Sequence, residues 1–158
     1  IQEHKKYALA KVQHYTNPMS LTLTFIGSAS AARELGEERF QTLLHKLSKK
    51  VNKNAFRRHR ELISCVAVQE FDDHTRNHIH AIFDVPERTT QEQFFNILES
   101  FAREQFDLRL SSTRDKKNVN TTPLIHVSKW NGPKAAVEYL FKNRSKDTKE
   151  NFSTFVIA

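Results

Sequence analysis

Two β-favouring runs, residues 61–71 (Leu62, Ile63, Val66, Val68, Phe71) and residues 77–84, flank Asp72-Asp73-His74-Thr75-Arg76. Polar residues between two such runs predict an antiparallel hairpin, and the remaining segments must pack around it. Upstream, Leu21, Leu23 and Phe25 alternate with Thr22 and Thr24, a strand with one apolar face. Phe40, Leu43, Leu44, Leu47 and Val51 then recur at helical spacing and predict one long amphipathic helix over 37–59. Its other face carries Lys46, Lys49, Lys50 and Lys53, with Arg57, Arg58 and Arg60 beyond. After the hairpin, Pro86 ends the strand. Thr89 with Glu92, or Thr90 with Gln93, offers a capping box for a helix over 90–106, with Phe94, Ile97, Leu98 and Phe101 as its core stripe. A strand follows over 124–130, and Asn131-Gly132-Pro133 starts a helix over 134–143 with Asn131 as its N-cap. A helix over 2–15, ended by Asn17-Pro18, precedes these elements, and a last strand over 153–157 follows them. The order (α)-β-α-β-β-α-β-α predicts an α+β fold, a mainly antiparallel central sheet of about five strands backed by helices.

At 158 residues the chain is expected to form one domain over 19–158, with residues 1–18 as a helical extension. A net charge of +7 favours a polyanionic partner, and charge alone does not separate nucleic acid from an anionic membrane. No apolar run approaches the roughly 18 residues of a membrane-spanning helix, and no signal-peptide pattern opens the chain. The single Cys65 can form no internal disulfide, which fits a reducing cytoplasm. A first residue of Ile1 reads as a piece of something longer. The three glycines make no Gly-x-x-x-x-Gly-Lys-Ser/Thr, so any helicase domain is expected outside this sequence.

His78-Ile79-His80 puts two imidazoles on one face of a short strand, because side chains two apart point the same way. An isolated His-x-His is more often solvated or structural than metal-binding. Here the histidines sit mid-strand, and a carboxylate, Glu70, ends the facing strand. A five-residue loop over 72–76 pairs Phe71 with Asn77 and therefore Glu70 with His78, so that Glu70 shares the histidine face. A two-residue turn at His74-Thr75 would instead point Glu70 away. With the longer loop, Glu70, His78 and His80 form an N,N,O triad suited to Mn²⁺ and tolerant of Mg²⁺ where phosphate adds oxygens. Zinc would more naturally recruit a third His or Cys. His126 is the nearest strand residue for that, though a supporting role suits it better.

Tyr139 lies in Ala135-Ala136-Val137-Glu138-Tyr139-Leu140-Phe141-Lys142, on a helix whose apolar stripe Val137, Leu140 and Phe141 already supply. Ala135 and Ala136 leave room beside the ring, and Lys142, three residues on, shares its face. A phenol titrating near ~10 needs a metal or a cation nearby to attack at neutral pH.

In this order these motifs resemble the HUH endonuclease superfamily, and within it the rolling-circle replication initiators (Rep proteins) of the single-tyrosine type. Leu21-Thr22-Leu23-Thr24-Phe25 is similar to the family's first motif. Asn77-His78-Ile79-His80-Ala81 matches histidine-hydrophobic-histidine, and Tyr139-Leu140-Phe141-Lys142 matches tyrosine-x-x-lysine. The resemblance runs from about Leu21 to Lys142. It implies a ferredoxin/RRM-like HUH fold and a metal-dependent endonuclease and strand transferase acting on single-stranded DNA at a replication origin. In that scheme the histidines and an acidic residue bind the cation. The tyrosine forms a 5′-phosphotyrosine, the lysine assists, and religation reverses the reaction. Carried onto this chain, His78, His80 and Glu70 are ligands, Tyr139 the nucleophile and Lys142 the assisting cation. The expected setting is a bacterial cytoplasm, or a host nucleus for a eukaryotic virus.

The expected DNA contacts are Arg114, Lys116 and Lys117 in a basic stretch, 111–122, with Lys129 and Lys134 flanking the tyrosine helix. Trp130 either stacks a base or closes the core beneath that helix. Within the superfamily the competing reading is a single-tyrosine transposase, which more often carries Gln where Lys142 stands. A relaxase usually places its tyrosine before the histidines. From another class, a non-catalytic ferredoxin-like RNA-binding domain expects aromatic rings on the strands, where this chain has Thr and His.

Overall fold

The computed structural model describes residues 2–26, 29–71, 76–106, 125–142 and 152–157. Five strands, β1 (Pro18–Ile26), β2 (Cys65–Phe71), β3 (Arg76–Asp84), β4 (Ile125–Ser128) and β5 (Phe152–Ile157), form one antiparallel sheet in the order β4-β1-β3-β2-β5. The helices are α1 (Gln2–Val12), α2 (Ala29–Asn52), α3 (Asn54–His59), α4 (Gln91–Phe106) and α5 (Pro133–Leu140). From β1 to β4 this is the split β-α-β-β-α-β arrangement, with β5 added beside β2 and with α1 and α5 outside it. No described helix is long and apolar enough to cross a membrane.

The pleat separates two cores. Leu21, Leu23, Cys65, Ala67, Ile79, Ala81 and Phe83 face α2 and α4, where Phe40, Leu43, Leu47, Phe94 and Leu98 complete the larger cluster. The opposite face carries Val66, Val68 and Ile82, and α1 (Ala8, Val12) and α5 (Val137, Leu140) cover it there. Asp84 fastens the turn out of α1, its Oδ1 accepting from the backbone N–H groups of Thr16 (3.1 Å) and Asn17 (2.8 Å). Thr90 and Gln93 form a reciprocal capping box on α4. The Gln93 N–H donates to Thr90 Oγ1, and the Thr90 N–H to Gln93 Oε1, both at 3.1 Å.

Three local expectations are corrected. The helix predicted over 37–59 starts at Ala29 and breaks at Lys53, whose φ of 48° lies in the left-handed region. Ladder pairing in β2 begins at Cys65. Before it, the Ile63 N–H donates to the Ser48 hydroxyl (2.9 Å), tying the segment to α2. The N-cap of α5 is Gly132 (φ 98°), with no side-chain cap from Asn131. A glycine holds that backbone without steric cost.

Gly36 lies in α2 directly over Gln69, and a Cβ there would overlap the buried carboxamide of Gln69. Alanine's helix preference of about 1 kcal/mol is outweighed by overpacking against a side chain with nowhere to move. Gly36→Ala is expected to lower stability by about 1–2 kcal/mol in urea unfolding. An unchanged midpoint would mean that Gln69 can yield.

Candidate nicking site

β1, β3 and β2 bring the chemistry-bearing residues into two adjacent rows on the α1/α5 face. One row runs His126, Thr22, His80, Val68 across β4, β1, β3 and β2; the next runs Thr24, His78, Glu70. Glu70 therefore lies opposite His78, the register a five-residue connection over 72–76 requires. Its carboxylate leans diagonally, and Glu70 Oε2 stands 2.9 Å from His80 Nε2. The imidazoles stack with centroids 6.2 Å apart. His126 is exposed and two strands from His80, roughly 10 Å at ~4.8 Å per strand, too far for a shared ligand sphere.

Each histidine is held from behind. Thr22 Oγ1 lies 3.0 Å from His80 Nδ1, and Thr24 Oγ1 lies 3.0 Å from His78 Nδ1. These hydroxyls come from the alternating polar positions of β1 that pair directly with the histidines. With Nδ1 engaged, Nε2 is the nitrogen left for a ligand or a proton. A hydroxyl can donate or accept, so the same threonine serves either tautomer.

Among the described residues, no group of three or more His, Cys, Asp and Glu side chains is gathered around a common point. The chemistry of the donors nonetheless fits a divalent cation. Donors at ~2.1 Å from one ion and at right angles stand about 3.0 Å apart. Glu70 Oε2 and His80 Nε2 are separated by 2.9 Å, the spacing of neighbouring octahedral ligands. His78, stacked beside His80, is the residue that could complete the set.

Tyr139 comes to this site from α5. Val137 and Leu140 are buried, which turns the intervening Tyr139 outward at 46% exposure. Its ring meets the His80 ring edge-on with centroids 5.5 Å apart, and Lys142 Nζ stands 5.7 Å from the Tyr139 centroid, within cation–π range. The other tyrosines differ. The Tyr15 hydroxyl is buried with no hydrogen-bond partner among the described residues. Burial pushes its phenol far above the usual range, and Cys65 and Asp84 add to that. Tyr7 is exposed on α1. Burial likewise pushes the Cys65 thiol up, so it is a core side chain and no nucleophile.

Of the expected DNA contacts, Lys129 and Lys134 are exposed at the start of the α5 segment. Trp130 is half-buried against the α1/α5 cluster, and also lines a cleft with Tyr15, Asn17 and Ser128. Arg114, Lys116 and Lys117 lie outside the described residues. Sequence reasoning missed Thr22 and Thr24 as supports of the histidines. Their signal is present as a Thr-x-Thr alternation, but it acquires meaning only once β1 is known to pair with β3.

An antiparallel split β-α-β-β-α-β sheet, carrying a His-x-His strand beside a tyrosine helix, is compatible with an HUH Rep nicking domain. The chain belongs to the family of the replication-associated protein ORF2 and the gene 2 protein, a rolling-circle Rep family whose model matches residues 18–148. No curated protein and no solved structure matches the chain. Membership supports a role in replication initiation.

Proposed function

We propose that this protein nicks and religates single-stranded DNA at a replication origin through a transient 5′-phosphotyrosine on Tyr139. The observation that carries the reading is the edge-on approach of Tyr139 to His80, beside the Glu70–His80 pair. In the forward step Tyr139 Oη bonds to the scissile phosphorus and the bond to the 3′ oxygen breaks. The phenol proton leaves, and the departing oxygen takes up a proton to become a free 3′-OH. In religation a 3′-OH attacks the phosphotyrosine and the phenol is regenerated. When bound, Mn²⁺ or Mg²⁺ held by His78, His80 and Glu70 supplies Lewis-acid polarisation of the scissile phosphate. Lys142, close to the ring, favours the phenolate and offsets phosphate charge. Exposure of Tyr139 leaves the ring open to a strand entering from solvent.

Thr22 acts on the same centre through His80. Without a cation, the His80 Nε2–H donates to Glu70 and the Thr22 hydroxyl donates to Nδ1. On ligation Nε2 gives up its proton, Nδ1 carries one, and the hydroxyl becomes the acceptor. Valine has the shape but neither role, so Thr22→Val is expected to weaken Mn²⁺ binding in calorimetry by about 10-fold or more, on the scale of losing a ligand's support. Equal affinity in the variant would remove Thr22 from the site.

The direct test is incubation with a labelled single-stranded origin oligonucleotide with and without Mn²⁺, resolved on a denaturing gel. A shifted covalent species that depends on the cation is expected. Binding without any adduct or cleavage would favour the non-catalytic reading.

A further inference from the structure

On the opposite side of the molecule, α2 and α4 enclose an open groove of about 960 Å³. Lys46, Lys49, Lys50 and Lys53 line one wall at i, i+3, i+4 and i+7 spacing, so one face of α2 presents four ammonium groups over about two turns. Arg88 adds a fifth cation, pinned by donation from its Nη1 to the Asn52 carbonyl at 2.7 Å. Like charges at these spacings destabilise a helix, and a surface shaped for stability alone would place carboxylates across from them. The α4 wall instead offers Gln93, Asn96, Ile97 and Phe101. Among the described residues the ion pair made by these lysines is Lys46–Glu104, at 3.5 Å and exposed. Lys53 lines the groove from a left-handed backbone (φ 48°) that disfavours a lysine, where glycine would sit freely.

We propose that this groove grips the sugar–phosphate backbone of duplex DNA flanking the nick site. The inference rests on DNA being the substrate of the Tyr139 face and adds a second contact surface to it. The lysine stripe runs about 10 Å along α2 at ~1.5 Å per residue, the axial rise of about three phosphates of one strand. Flexible ammonium groups over an apolar floor bind phosphate as point charges and carry no base readout. Sheet and helix layers separate the groove from His80 by on the order of 15–20 Å. A short oligonucleotide in the active site therefore does not reach it, whereas a DNA continuing into a duplex arm does.

The test compares the Tyr139→Phe protein with the same protein carrying Lys49→Gln and Lys50→Gln. The probes are an oligonucleotide of about eight nucleotides and the same sequence joined to a duplex arm of about 20 base pairs, about 70 Å long at ~3.4 Å per pair. Affinity for the long DNA should fall at least 10-fold and its log–log salt slope shrink by about 1.8, two contacts at ~0.9 each, with the short DNA within twofold. The melting temperature should hold or rise, because like charges have been removed. An unchanged long-DNA affinity and slope, or equal losses on both DNAs, overturns the proposal. So does loss of binding to anionic phospholipid vesicles with duplex binding intact. All these readouts are independent of cleavage, so a protein that never nicks can still pass, and failure here leaves the Tyr139 reading standing.

Discussion

Tyr139→Phe is expected to lower covalent adduct formation and nicking by at least ~100-fold, with single-stranded DNA affinity within about twofold and an unchanged melting temperature. The ring is half exposed on α5 and its packing neighbours, Val137 and Leu140, are untouched. Removing one oxygen therefore deletes the nucleophile and leaves the edge-on contact with His80 and the cation–π contact with Lys142. No other tyrosine is placed to substitute: Tyr15 is buried with a phenol held far above its ordinary range, and Tyr7 stands exposed on α1. Substantial nicking in the variant would move the nucleophile elsewhere.

His80→Ala, His78→Ala and Glu70→Ala should each reduce Mn²⁺ affinity and nicking by at least ~10-fold, with His80→Ala the most severe. His80 is the hub, buried to 8% exposure and contacted by Thr22, Glu70, His78 and Tyr139. Truncating it removes a donor and also empties the space against which Glu70 and Tyr139 are set. If calorimetry found metal affinity unchanged in Glu70→Ala while both histidine variants lost it, Glu70 would be a partner of His80 and no ligand.

What could be read in the sequence was whatever depends on parity and period. The two-residue repeat of a strand, with a five-residue connection, is enough to set Glu70 against His78. The same repeat separates the apolar Leu21, Leu23, Phe25 face from Thr22 and Thr24. Helical periodicity found α4 and its capping box, because Thr90 and Gln93 satisfy each other locally. What could not be read depends on contacts distant in sequence. The break at Lys53 has no glycine or proline to announce it, and follows from α2 being tied through Ser48 and Asn52 to residues 61 and 63. The start of α2 at Ala29 lies upstream of the apolar repeat that begins at Phe40, in a stretch of small residues with no stripe. Pairing of β1 with β3 joins residues more than fifty positions apart, so nothing local marks Thr22 and Thr24 as supports of the histidines. The gathering of α1 and α5 over one sheet face, which brings Tyr139 to His80, is likewise a property of the packed core.

Whether the Tyr139 phenol oxygen becomes bonded to DNA is tested most directly by proteolysis of the protein–DNA adduct formed with Mn²⁺, followed by mass spectrometric mapping of the nucleotide-bearing peptide. The expected result is a single phosphotyrosyl linkage at Tyr139, with the nucleotide attached through its 5′ phosphate. A linkage at Tyr7, Tyr15 or a non-tyrosine residue, or a 3′ attachment, would contradict it.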